Sequence, residues 1–186
     1  MARIDHGSCS LFKINDSQSF QRSPETISIE ARAVDLDGHP DFMTKEISEN
    51  GAVVRAALDI DDSKIDAVVD VIINSERTIL TGVGTSYYVA LMGQYMISDL
   101  AGEFTPAMSS DEMPHMVPLR KGDHVLAISQ SGETYDTLRA LRLAKENGVN
   151  LSAILNVDSS SMAREVDQVI HQNAGPEICV LSTKST

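Results

Sequence analysis

From about residue 60 onward, short apolar runs alternate with longer amphipathic stretches. The apolar runs predict strands at 78–81, 104–108, 124–129, 151–156 and 169–172. Between them, apolar residues recur every three or four positions, which is typical of helices packed on one face. Strands that alternate with helices in this way indicate a parallel sheet covered on both sides. We therefore predict an α/β fold, a three-layer, doubly wound parallel sheet of about five strands with flavodoxin-like topology.

The first part of the chain has a weaker pattern. A short extended segment is expected around Ile27 and Ile29, and helical spacing further on predicts one or two helices with a stop at Asn50-Gly51. We expect residues 1–60 to form an N-terminal arm and connector segment, partly helical. Residues 61–186 are then expected to form the α/β domain.

The turn after the predicted strand at 124–129 carries the strongest functional pattern. It reads Ser129-Gln130-Ser131-Gly132-Glu133-Thr134 and leads directly into a predicted helix. The first N–H groups of a helix lack partners and lie at the positive end of the helix dipole, so they attract an anion. A plain helix cap at Ser131 or Gly132 is the structural alternative.

A second turn of the same kind favours a binding function over a plain cap. Gly82-Val83-Gly84-Thr85-Ser86 follows the first predicted strand. A flavodoxin-like strand order, 2-1-3-4-5, places the turns after strands one and three side by side. The predicted pocket is lined by hydroxyl and amide side chains: Thr85, Ser86, Ser129, Gln130, Ser131 and Thr134. Neither turn contains Lys or Arg, which argues against a nucleoside triphosphate loop and favours one phosphate held by neutral donors.

Composition narrows the partners further. The 186 residues carry a formal net charge of −12, which argues against nucleic-acid or anionic membrane partners. Two cysteines and the lack of an apolar signal core in the first residues favour a reduced, cytoplasmic setting. The five histidines show no metal-ligand spacing, so we expect no metal and no cofactor.

Three motifs resemble the SIS (sugar isomerase) family: Gly84-Thr85-Ser86, the run from Ser129 to Thr134, and Asn173-Ala174-Gly175-Pro176-Glu177-Ile178 followed by Ser182-Thr183-Lys184. The segment 38–47 is similar to the connector of the glutamine:fructose-6-phosphate aminotransferases, or glucosamine-6-phosphate synthases. The chain is thereby identified as similar to the first of the two SIS halves in that family. Cys179, Leu181 and Ser185-Thr186 depart from the family pattern at the sugar end of the site.

The resemblance implies a role for each matching residue. Phosphate contacts are implied for Ser86, Ser129, Gln130, Ser131 and Thr134, and sugar-hydroxyl contacts for Thr85, Ser182 and the backbone at Val180. The roles of Val180 and Ser182 rest on the resemblance alone. The implied ligand is fructose-6-phosphate or glucosamine-6-phosphate, and the implied assembly is a homodimer.

Catalytic residues stay unassigned. The family's ring-opening histidine, proton-shuttling glutamate and Schiff-base lysine belong to parts that this sequence does not match, so we expect the chain alone to be inactive. We expect Glu133 to be structural, Lys184 to be solvated, and Met92, Met96 and Met108 to fill the core.

Two other functions stay open, a non-catalytic phosphosugar-sensing SIS module and a stand-alone oligomeric phosphosugar isomerase. A doubly wound sheet needs both faces covered, and the sequence stops where another helix is expected to begin. We therefore expect a partner chain or a further segment to cover part of the domain surface.

Overall fold

The structure, a computed structural model, describes residues 2–6, 8–16, 18–22, 35–182 and 184–185. The chain forms two compact units, Met1–Asp35 and Leu36–Thr186. The boundary predicted between residues 60 and 61 stays a prediction.

The first unit contains a small antiparallel sheet. Its strands are β1 (Ala2–Asp5), β2 (Ser8–Phe12) and β3 (Ser19–Phe20), in the order β1-β2-β3. The sequence pattern did not predict these strands, because their side chains are almost all exposed and show no alternation of buried and exposed positions. The extended segment expected around Ile27 and Ile29 lies outside the described residues.

The second unit alternates helices and strands. Its helices are α1 (Phe42–Ala57), α2 (Asp62–Asn74), α3 (Thr85–Ala101), α4 (Met113–Met116), α5 (Tyr135–Glu146) and α6 (Ser161–Glu165). Its strands are β4 (Arg77–Gly82), β5 (Ala107–Ser109), β6 (Asp123–Ser129), β7 (Asn150–Leu155) and β8 (Gln168–His171). All strand pairs are parallel, in the order β5-β4-β6-β7-β8. The predicted α/β fold and the 2-1-3-4-5 order are both confirmed.

The sheet buries apolar side chains on both faces, which gives the three layers. On β6, Val125 and Ala127 face the cluster built with α4, α5 and α6, whereas Leu126 and Ile128 face the cluster built with α2 and α3. Successive side chains of a strand point to opposite faces, so a strand covered on both sides reads as a continuous apolar run. This is why the sequence revealed β6 so clearly.

Helix α1 is a single helix that runs through Asn50-Gly51. It begins after Asp41, whose side chain accepts a hydrogen bond from the Thr44 N–H at 2.7 Å. Glycine inside a helix costs only about 1 kcal/mol relative to alanine, which a capped, partly buried helix tolerates. Of the two predicted alternatives, one helix or two, the structure has one.

Helix α3 shows the sheet a different stripe from the one we predicted. Ser86 and Ala90 are buried against the sheet, and a Cβ placed on Gly93 would lie 3.2 Å from Leu80 Cδ1. Small residues therefore set the close approach of helix and sheet, and the large apolar residues point outward. Met92 and Met96 are exposed by 63% and 53%, so their assignment to the core was wrong; Met108 packs against the core as predicted. None of the helices in the described part of the chain has the length and apolar character that a membrane crossing demands.

Candidate functional site

A cavity of about 470 Å³ lies at the carboxyl end of the parallel strands. All eight residues predicted from the sequence line it: Thr85, Ser86, Ser129, Gln130, Ser131, Thr134, Val180 and Ser182. The lining also includes Val83, Gly84, Glu177, Ile178, Cys179 and Leu181. Because β4 and β6 are neighbours in the sheet, the turns that follow them meet here, as the predicted strand order requires.

The first wall is the turn between β4 and α3. A Cβ on Gly82 would lie 2.8 Å from the carbonyl carbon of Ser86, so only glycine lets the chain fold back this tightly. Gly84, at the N-cap of α3, has a φ of +61°. These two glycines place Ser86 in the first turn of α3, and the Thr85 hydroxyl donates to the Leu181 carbonyl oxygen at 3.4 Å.

The second wall is the turn between β6 and α5. Ser129 is buried, and its Oγ accepts a hydrogen bond from the Gly132 N–H at 3.0 Å. The Ser131 Oγ accepts one from the Glu133 N–H at 3.2 Å. Thr134 occupies the N-cap of α5 without a side-chain capping bond. The N-cap is therefore neither Ser131 nor Gly132, and the Thr134 hydroxyl is not used to cap the helix.

The third wall is the segment 176–182, called here the 176–182 loop. Its Ile178 and Cys179 N–H groups donate to the Glu46 carboxylate of α1, at 2.5 Å and 3.2 Å. Sequence reasoning missed Glu46, since 132 positions separate it from Ile178 and no local pattern links them. The only available signal was the connector resemblance that includes it.

The two charged residues considered for chemistry both have structural partners. The Glu133 carboxylate accepts the Ser161 N–H at 2.6 Å, and this hydrogen bond lowers the pKa of the Glu133 carboxyl. Glu133 thus helps to start α6, in agreement with its expected structural role. Lys184 was expected to be solvated, but it is buried, and its Nζ donates to Glu49 at 2.7 Å and to the Pro176 carbonyl oxygen at 2.6 Å. That expectation was wrong, because the loop folds back onto α1 and covers the lysine.

The cavity offers hydrogen-bond donors without a cation. None of its described lining residues is Lys or Arg, and hydroxyls, one side-chain amide and the N-terminal ends of α3 and α5 face it. Burial, followed by the neighbouring Glu46 carboxylate, raises the pKa of the Cys179 thiol, which keeps this side chain neutral at pH 7. Such a lining suits a small anion bound by dipoles and hydroxyls. Among the described residues, no group of three or more His, Cys, Asp or Glu side chains is placed to hold a metal ion.

Comparison with known proteins agrees with this geometry. A sequence model of the SIS domain family matches residues 71–186, and the chain belongs to that family. Among curated relatives, the glutamine–fructose-6-phosphate aminotransferase [isomerizing] of Sulfurisphaera tokodaii is 37% identical over 194 residues, covering 92% of this chain and 33% of the relative. The chain is homologous to the isomerase portion of these aminotransferases, and it spans about a third of the length of this relative.

Solved structures support the same relationship. The C-terminal domain of glucosamine-fructose-6-phosphate aminotransferase from Francisella tularensis superposes with a TM-score of 0.69 and 30% identity, over 81% of this chain and 46% of that one. The Escherichia coli CFT073 protein c3406, solved in complex with a phosphosugar, gives a TM-score of 0.61 and 25% identity, over 70% of this chain and 71% of that one.

Proposed function

We propose that the cavity binds a hexose 6-phosphate, fructose-6-phosphate or glucosamine-6-phosphate, as the sugar-binding part of a glutamine:fructose-6-phosphate aminotransferase. The observation that carries the proposal is that two turns and one loop, distant in sequence, place all eight predicted residues around one cavity. The names of the curated relatives support the choice of substrate. The c3406 complex supports a phosphosugar ligand.

The phosphate is assigned to the end of the cavity formed by Ser86, Ser129, Gln130, Ser131 and Thr134. There, the N-termini of α3 and α5 direct backbone N–H groups and dipoles at a dianion, and hydroxyls complete its hydrogen bonds. The sugar hydroxyls are assigned to Thr85, to the backbone at Val180 and to Ser182. A phosphate monoester held by neutral donors in this way keeps its full charge, which the helix ends stabilise.

Calorimetric titration with fructose-6-phosphate tests the phosphate assignment. Ser131→Ala combined with Thr134→Ala removes two hydroxyls from the phosphate end. Each hydrogen bond to a charged group contributes roughly 1.5–3 kcal/mol, so the double variant should bind at least about 100-fold more weakly. Ser159→Ala, which removes an exposed hydroxyl outside the cavity, is the control and should bind like the unmodified chain. Equal affinity in the double variant and the control would remove phosphate recognition from this turn.

The proton transfers are assigned to groups outside this cavity. Glu133 and Lys184, the two charged residues considered for chemistry, are bound to Ser161 and to Glu49 instead. We expect the purified chain to form no glucosamine-6-phosphate from fructose-6-phosphate and ammonia. Turnover above the buffer blank, measured by chromatography of the sugar phosphates, would place a catalytic group in this chain.

We also propose that two copies of the chain associate through α3, in the cytoplasm. The outward face of α3 carries the exposed side chains Tyr88, Met92, Tyr95, Met96 and Leu100. A contiguous apolar helix face of this kind supports burial against a second copy. Sedimentation equilibrium should give twice the chain mass, and Met92→Glu should give a single chain. A monomer at all concentrations would contradict this assembly.

A further inference from the structure

The 176–182 loop has few apolar contacts of its own to hold it in place. Its tip is exposed, with Val180 94% and Leu181 58% accessible to solvent. In an exposed segment, hydrophobic burial cannot fix the backbone, so the position of the loop depends on its hydrogen bonds. Those bonds lead to α1, a helix that is not part of the cavity lining.

Two carboxylates on one side of α1 hold the loop at two points. Glu46, which is only 3% exposed, accepts the N–H groups of Ile178 and Cys179. Glu49 accepts Lys184 Nζ, which also donates to the Pro176 carbonyl oxygen at the start of the loop. Positions three apart in a helix lie on the same face, so a single helix face secures both the middle of the loop and its base.

The two ends of the cavity are therefore supported independently. The phosphate end is built within the turns after β4 and β6, whose bonds, such as Gly132 N–H to Ser129 Oγ, do not involve α1. The sugar end depends on the loop that carries Val180 and Ser182. A change at Glu46 should move the sugar end while the phosphate end keeps its geometry.

We propose that Glu46 is a positioning residue for sugar recognition, fixing the 176–182 loop so that the backbone at Val180 and the Ser182 hydroxyl meet the sugar hydroxyls. This inference rests on the proposed function. A carboxylate that accepts backbone N–H groups forms charge-assisted hydrogen bonds, which are stronger than neutral ones and hold the donors in one place. Glu46 touches the loop and not the ligand, so its effect on binding is indirect.

The test compares two ligands that differ only in the sugar. Affinities for fructose-6-phosphate and for inorganic phosphate are measured by NMR titration in the unmodified chain, in Glu46→Gln and in Glu46→Asp. Glu46→Gln should weaken fructose-6-phosphate binding about tenfold or more, and the shorter carboxylate of Glu46→Asp should give a smaller loss. Inorganic phosphate should bind all three within about twofold. Glu146→Gln, an exposed position on α5, is the matched control and should change neither affinity.

Amide hydrogen exchange at Ile178 and Cys179 gives a readout that needs no ligand. Both amides should exchange at least about tenfold faster in Glu46→Gln than in the unmodified chain. Unchanged sugar-phosphate affinity in Glu46→Gln, or an equal loss for both ligands, would overturn the positioning role. If the unmodified chain binds no fructose-6-phosphate, the proposed function fails, while faster exchange in the variant would still show that Glu46 holds the loop.

Discussion

Replacing Gly132 with alanine tests how tightly the second wall of the site is built. Gly132 has a φ of +65°, and an L-residue in this region costs about 1–2 kcal/mol. A Cβ at this position would also clash with the Ser160 hydroxyl and would lie 2.5 Å from Ser160 Cβ. Ser160 caps α6 by accepting the Ala163 N–H at 3.2 Å, and losing such a cap costs about 0.5–2 kcal/mol. Gly132→Ala should therefore lower the free energy of unfolding by about 2–4 kcal/mol.

Urea unfolding followed by circular dichroism measures this loss against a matched control. Gly102→Ala carries a similar φ of +71° but meets no atom within 4 Å, so it should lose only the backbone cost of about 1–2 kcal/mol. Adding Ser160→Gly to Gly132→Ala removes the clash, so the double variant should lose at least about 1 kcal/mol less than the sum of the single variants. Equal losses for the two glycines, or strict additivity in the double variant, would refute the close-contact explanation.

Two further predictions concern titratable side chains. Desolvation by burial lowers the pKa of His124 from 6.5 to about 4, so the folded chain keeps this histidine neutral where the unfolded chain protonates it. Stability should be complete above about pH 7 and fall by about 3 kcal/mol as the pH drops from 6.5 toward 4. Urea unfolding of His124→Gln should show a smaller fall over the same range, and an unchanged fall would contradict the assignment. The Cys179 thiol, whose pKa is raised by burial and Glu46, should react more slowly with a disulfide reagent than the exposed Cys9. Fructose-6-phosphate should slow Cys179 further without affecting Cys9, and identical rates with and without the sugar would separate Cys179 from the ligand.

Much of the domain could be predicted from local patterns. Strand β6 is buried on both faces, so its apolar run is unambiguous, and the small polar residues after it can only form a turn. Parallel strands need helical connections, which fixes the class of fold once strands and helices alternate. The turn residues of the phosphate end follow from the same logic, because they lie directly after buried strands.

Local patterns are less informative where the environment decides. Helix α3 is apolar on much of its circumference, and periodicity alone cannot tell which stripe meets the sheet. The close approach at Gly93 selected the small residues and left Met92 and Met96 outside. Lys184 was misjudged for the same kind of reason: a lysine near the end of a sequence is usually solvated, and only the folded loop brings it to Glu49.

The sequence by itself determined the strands, the helices that connect them and the two hydroxyl-rich turns, since each depends on residues close together in the chain. Only the tertiary structure decided that Glu46 of α1 holds the third wall, because that bond joins positions 132 apart and leaves no periodic trace. Local chemistry is encoded by neighbours, whereas the closure of the site depends on which distant backbone N–H groups reach a buried carboxylate.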